Sequence, residues 1–278
     1  MSDHATAAAT TRGSERIASA FARARAEDRA ALIVYLTAGF PDPETSRACL
    51  EAAVEAGADI VEVGLPFSDP IMDGPVIQAA NQAVLDAGLS LTEQLTVARD
   101  ALAGSGVPAV AMTYVTVADT RGYPRFAKDC SDAGLDGVIL PDLPVVEAGG
   151  WRTAAESEGL ATVFLASSVS SSERLDAIAG TSRGWIYAIG LLGVTGVNAV
   201  DDGPTRELVA RLRGRTETPI AVGIGVRDRE TARAVAGFAD GVIVGSALLR
   251  AVSDGPPAGA PGRVGALVAD LRAGMQRG

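Results

Sequence analysis

The sequence predicts a (β/α)8 TIM barrel with an extra N-terminal helix, on three observations. Short apolar runs alternate with Ala/Arg/Glu-rich helical stretches along the chain. The runs are continuous rather than alternating, as in parallel strands covered on both faces. Eight such strand–helix pairs span about 250 residues, the size of this barrel. The alternative, an open doubly wound sheet, lacks support, because no dinucleotide-type glycine fingerprint follows the first strand, Leu36-Thr37-Ala38-Gly39-Phe40-Pro41.

The elements follow in order. Residues 1–14 read as a disordered tail, and residues 15–278 as one barrel domain with no linker to divide it. A helix is expected over 14–28, where Ile17, Phe21 and Ala24 form one stripe. The expected strands are Leu32–Thr37, Ile60–Gly64, Ala109–Tyr114, Gly137–Leu140, Thr162–Ala166, Trp185–Ala188, Ile220–Gly223 and Gly241–Gly245. The joint Ala56-Gly57-Ala58-Asp59 recurs as Ala133-Gly134-Leu135-Asp136, and more loosely at 158–161 and 237–240. Each reads as a left-handed glycine cap ending a helix before a strand. Asp42-Pro43 and Ser170-x-x-Glu173 read as helix starts. The Pro- and Gly-rich stretch Ser253–Gly262 reads as a loop before a last helix near 263–274.

Composition narrows the function. Asp and Glu total 34 against 24 Lys and Arg, a net charge of −10, with a pI near 4.7. Nucleic acid and anionic membranes need a basic face, so neither is an expected partner. The one histidine, His4, lies in the tail, which argues against His-based triads and His-rich zinc sites. The one lysine, Lys128, falls on an outer helix and reads as a surface residue rather than a Schiff-base former. Cys49 and Cys130 are too few for a disulfide framework and read as small buried hydrophobes of a cytoplasmic protein. No apolar run reaches 18 residues and no signal peptide is visible, so no membrane span is expected. The acid–base chemistry is left to carboxylates, Tyr or Cys.

A barrel places its active site at the C-terminal ends of its strands. There Glu62 stands between two valines in Ile60-Val61-Glu62-Val63-Gly64 and has to point into the barrel. Burial raises a carboxyl pKa toward neutrality, as a general acid–base requires. The competing reading is a core glutamate paired with an arginine. The loop Leu65–Pro75 adds Asp69 and Asp73, so up to three carboxylates could converge. Asp73 has its own plain reading as a helix N-cap before Gly74-Pro75. No ligand spacing supports a metal. After strands seven and eight, Gly223-Ile224-Gly225 and Gly245-Ser246 form glycine-bearing loops, with a short helix starting at Ser246. These are the positions of the recurrent barrel phosphate site, whose donors are backbone N–H groups at a helix N-terminus. The loop Gly193-Val194-Thr195-Gly196 could close over a ligand.

The run Val61–Pro75 resembles the signature of the tryptophan synthase alpha family. Leu140-Pro141-Asp142-Leu143-Pro144, Gly193-Val194-Thr195-Gly196 and Gly245-Ser246 resemble its other motifs, in the same order. The resemblance implies cleavage of indole-3-glycerol phosphate to indole and glyceraldehyde 3-phosphate, with no cofactor of its own. It implies a pyridoxal-phosphate-dependent beta subunit as partner in an alpha2beta2 tetramer. By resemblance Glu62 and Asp73 are catalytic, Thr195 closes a loop and Tyr187 lines the pocket. Gly196, Gly225, Gly245 and Ser246 bind phosphate, and Pro66, Asp69 and Asp142 face the partner. Two departures stand out: Tyr114-Val115-Thr116-Val117 replaces a usual Tyr-x-Asn-Pro, and Gly190 replaces a usual Ser. A stand-alone indole-releasing lyase and a non-catalytic barrel that only activates a beta subunit are the alternatives.

Overall fold

The computed structural model describes residues 11–189, 203–223 and 225–277. Eight parallel strands close into a barrel in sequence order, with the last paired to the first. They are β1 (Ala31–Thr37), β2 (Ile60–Gly64), β3 (Ala109–Met112), β4 (Gly137–Ile139), β5 (Ala161–Ser167), β6 (Ile186–Ile189), β7 (Ile220–Gly223) and β8 (Gly241–Val244). Helix α1 (Arg12–Ala26) precedes the barrel and α2 (Pro43–Glu55) follows β1. Two helices follow β2, α3 (Pro75–Asp86) and α4 (Leu91–Leu102), and two follow β3, α5 (Val115–Arg121) and α6 (Tyr123–Asp132). Among the described residues one helix follows each of β4 to β7: α7 (Gly149–Ser157), α8 (Ser172–Thr181), α9 (Gly203–Arg213) and α10 (Arg229–Ala236). After β8 come α11 (Ser246–Ser253) and α12 (Ala260–Gly274).

The continuous apolar runs are explained by burial on both faces. In β1, Ala31 and Ile33 pack inside the barrel with Ile60, Val110, Ile139 and Ile243. Leu32, Val34 and Leu36 pack outward in the larger cluster shared with the helices. The inner cluster also takes in Ile17, Ala20, Phe21 and Ala24 of α1, with Phe21 against Trp185 at 6.3 Å between ring centroids. Helix α1 is therefore a floor under the barrel.

The recurring joints do more than end helices. The Asp of three joints accepts the N–H of a residue at the start of the preceding strand. Asp59 binds Leu32 at 2.8 Å, Asp136 binds Ala109 at 3.0 Å and Asp240 binds Ile220 at 2.8 Å. Each is also paired with an arginine: Arg29, Arg16 and Arg213 in turn.

Several boundaries differ from expectation. Helix α1 starts at Arg12, inside the expected 1–14 tail, because Thr11 and Ser14 cap it reciprocally. Residues 1–10 lie outside the described residues. Ser171, not Ser170, caps α8, since the Ser170 hydroxyl accepts the Ser167 N–H instead. Gly57, Gly134 and Gly159 are left-handed as expected, but Gly237 has φ −67° and ends α10 without that turn. The stretch read as a loop holds a 3-10 turn, Pro257–Gly259, and the first turn of α12. Cys49 and Cys130 are buried and free, and exposed Lys128 pairs with Asp132 on α6 at 2.9 Å. No described helix is long and apolar enough to cross a membrane.

Candidate active site

Glu62 is the middle residue of β2, in register with Tyr35 and Val110. Its side chain is fully buried, and neither carboxyl oxygen has a hydrogen-bond partner among the described residues. It is thus not the arginine-paired core glutamate of the alternative reading. Burial pushes its pKa up to about 8, helped by the negative charge of Asp73.

Asp73 reaches the same place from the long loop between β2 and α3. Gly74, not Asp73, is the N-cap of α3, and it makes no side-chain cap bond. The Asp73 carboxyl is therefore free of the capping role. It accepts from Asn81 Nδ2 at 3.4 Å. Burial pushes its pKa up to about 6, while interactions with Tyr114 and Asn81 pull it back down. The two carboxyls titrate as a coupled pair, both raised by burial, and the charge of Asp73 helps keep Glu62 protonated.

Two carboxyls, not three, make the pair. Asp69 is exposed and takes the Ser68 hydroxyl at 2.6 Å, and neither Glu62 nor Asp73 owes its shift to it. Among the described residues no group of three or more His, Cys, Asp or Glu is placed to hold a metal ion.

Phenols surround the pair. The Tyr35 hydroxyl lies over Gly64, and the Tyr187 hydroxyl over Gly223, where any Cβ would collide with it. Both glycines allow a ring to lean along the barrel axis toward the mouth. Burial holds both phenols well above their ordinary pKa, and the charges of Glu62 and Asp73 add to this. Tyr114, two residues beyond β3 and the N-cap of α5, is the third: its oxygen accepts the Met72 N–H at 2.9 Å.

After β8, two strands round the barrel from β2, α11 begins at Ser246 with Gly245 as an N-cap that offers no side-chain acceptor. The first N–H groups of α11 therefore have no side-chain cap. Gly225 is exposed, in the left-handed region at φ +51°. Thr195, Gly196 and Gly190 lie outside the described residues.

Comparison with known proteins decides the family. The family model described as "Tryptophan synthase alpha chain" matches residues 21–263. The chain belongs to this family. A tryptophan synthase alpha chain of Streptomyces coelicolor is 46% identical over 257 residues, covering 92% of this chain and 94% of the relative. One from Mycobacterium marinum is 42% identical, covering 96% and 97%. A crystal structure of tryptophan synthase from M. tuberculosis, in an aminoacrylate- and BRD0059-bound form, superposes with TM-score 0.86. It is 41% identical and covers 95% of this chain and 99% of that one. The Legionella pneumophila tryptophan synthase alpha chain gives TM-score 0.84 at 32% identity, covering 93% and 96%.

The tryptophan synthase alpha signature Val61–Pro75 thus holds Glu62 on a rigid strand and Asp73 on the loop that leaves it. Pro66 of the same signature is buried, whereas Asp69 is on the surface. Asp142, in the Pro-Asp-Leu-Pro motif after β4, accepts the Val115 N–H at 2.8 Å. Thr116, one of the departures, is exposed on α5. Sequence reasoning missed Tyr35, Tyr114 and Asn81. For the two tyrosines a signal existed, a polar group near the mouth end of an apolar strand, the feature that singled out Glu62.

Proposed function

We propose that this member of the family cleaves indole-3-glycerol phosphate by a retro-aldol reaction, with Glu62 and Asp73 as its catalytic groups. The observation that carries this is the pair itself: a fully buried carboxyl with no hydrogen-bond partner among the described residues, raised to about 8, and a second carboxyl close enough to act on it, raised to about 6. At neutral pH Glu62 holds a proton and Asp73 does not, so their roles separate. Glu62 gives its proton to indole carbon 3, and the ring nitrogen becomes positive. Ionised Asp73, accepting from that N–H, stabilises the cation. The Glu62 carboxylate then takes the proton of the adjacent side-chain hydroxyl. The carbon–carbon bond breaks, its electrons restore the neutral indole, and the aldehyde of glyceraldehyde 3-phosphate forms. No step calls on His, Lys or a metal.

Tyr187 lines the indole pocket in this reading, and the backbone at Gly225, Gly245 and Ser246 holds the phosphate, with Gly196 and loop-closing Thr195 completing the site. A beta subunit, in an alpha2beta2 assembly, would dock on the rim that carries Pro66, Asp69 and Asp142. Ile71 and Val146, on two rim loops, are 79% and 75% exposed, which supports a surface awaiting a partner. Two buried free thiols support a cytoplasmic setting.

The test is indole release from indole-3-glycerol phosphate, titrated with beta subunit and profiled against pH. The expected result is slow turnover that rises with partner. kcat/KM should climb as Asp73 ionises near pH 6 and fall as Glu62 loses its proton near pH 8. Brisk turnover indifferent to partner would mark a stand-alone lyase, and no indole under any condition would sink the reaction.

A further inference from the structure

We infer that Tyr114 is a positioning residue for Asp73, and the joint through which the loop after β4 reaches that carboxyl. The inference rests on the reading of Asp73 as a catalytic anion. Tyr114 is 3% exposed and stands immediately before α5, with its hydroxyl among residues of the β2–α3 loop. The phenol oxygen accepts the Met72 N–H, which leaves its proton free to donate. Asp73, the next residue along, is the carboxyl within its influence, and the interaction favours the ionised form. The ring also stacks on Phe67, with centroids 5.2 Å apart and planes at 28°. One side chain thus holds the loop at two points, Phe67 and Met72, on either side of exposed Ile71.

The connection continues behind the ring. Val115, bonded directly to Tyr114, donates its N–H to Asp142. Loops after three successive strands, β2, β3 and β4, therefore meet at the dipeptide Tyr114-Val115. A body pressing on the outer two moves the ring that holds the loop next to Asp73. A purely space-filling ring would need no hydroxyl under the Met72 N–H, and Phe would serve as well.

The experiment uses the full-length chain with carbon-13-labelled aspartate, the Asp73 carboxyl being assigned by its loss in Asp73→Asn. In Tyr114→Phe the Asp73 titration should move up by about half to one pH unit, because a donor to the anion is gone. The acid limb of kcat for indole release should move with it, while KM changes less than about twofold. Asp142→Ala should shift Asp73 in the same direction by less, and add nothing to Tyr114→Phe in the double variant. An Asp73 titration unmoved in a folded Tyr114→Phe chain, with only the melting temperature lowered, overturns the proposal. Should that variant not fold, an unmoved titration in Asp142→Ala overturns it instead. Indole release absent from the wild type, with the Asp73 shift still seen, would overturn the reaction and leave the positioning role standing.

Discussion

At Glu62 function and stability pull in opposite directions. The folded chain keeps the carboxyl protonated up to about pH 8, whereas an unfolded chain releases that proton near 4.5. Between those values the folded state binds more protons, so wild-type stability falls as pH rises through this window. Glu62→Gln removes the titration. It should lower turnover by about 10²–10⁴-fold. It should also gain stability relative to wild type, by roughly 2–5 kcal/mol at pH 8 and by little at pH 5. Thermal melts of the two proteins across that range check the sign, and a gap independent of pH would refute it. The sequence exposed Glu62 because a charged residue inside Ile-Val-x-Val-Gly has nowhere to go but the barrel interior. It did not expose Asn81, two turns into α3, whose approach to Asp73 depends on how the whole loop folds back. Nor did it decide whether Asp73 was a cap, which the backbone settled by placing Gly74 there.

Among the elements, strands were easier to read than helix ends. Apolar continuity locates a strand to within a residue or two, because burial on both faces leaves no freedom of pattern. Caps depend on which of several neighbouring hydroxyls wins, as Ser170 and Ser171 show. Helix α5 escaped notice because it has seven residues and no side-chain cap. Helix α11 was legible from Gly245-Ser246, and the proposed anion site that pairs its open N-terminus with Gly225 makes a specific demand. Gly225→Val would put a branched side chain at φ +51° and block close approach of the backbone by a phosphate. The expected outcome is a KM for indole-3-glycerol phosphate raised about 10–100-fold, the scale of a lost charged hydrogen bond, with kcat changed far less. Competitive inhibition by inorganic phosphate should weaken in parallel. A KM and phosphate inhibition both unchanged would remove Gly225 from the anion site.

For the molecule as a whole, closure of the barrel depends on its lower end as much as on its sheet. The repeats at 56–59, 133–136 and 237–240 were visible as punctuation. Their role as ties from strand to strand needs a partner strand that no single segment contains. Asp136 is the most buried of the three, holding the Ala109 N–H and Arg16 of α1 together. Asp136→Ala leaves that N–H unpaired in the interior and frees α1 from its anchor. It should cost about 2–4 kcal/mol. Urea unfolding measures the loss, and activity per folded molecule should be unchanged, since the site is at the other end.

That floor also governs traffic. With Phe21 and Trp185 at the base and strand side chains filling the interior above them, the barrel is closed from below. Whatever enters to be cleaved and both fragments that leave must cross the same rim. A subunit seated on part of that rim would therefore stand beside the single way in and out, where it could meet a departing fragment without any opening through the base.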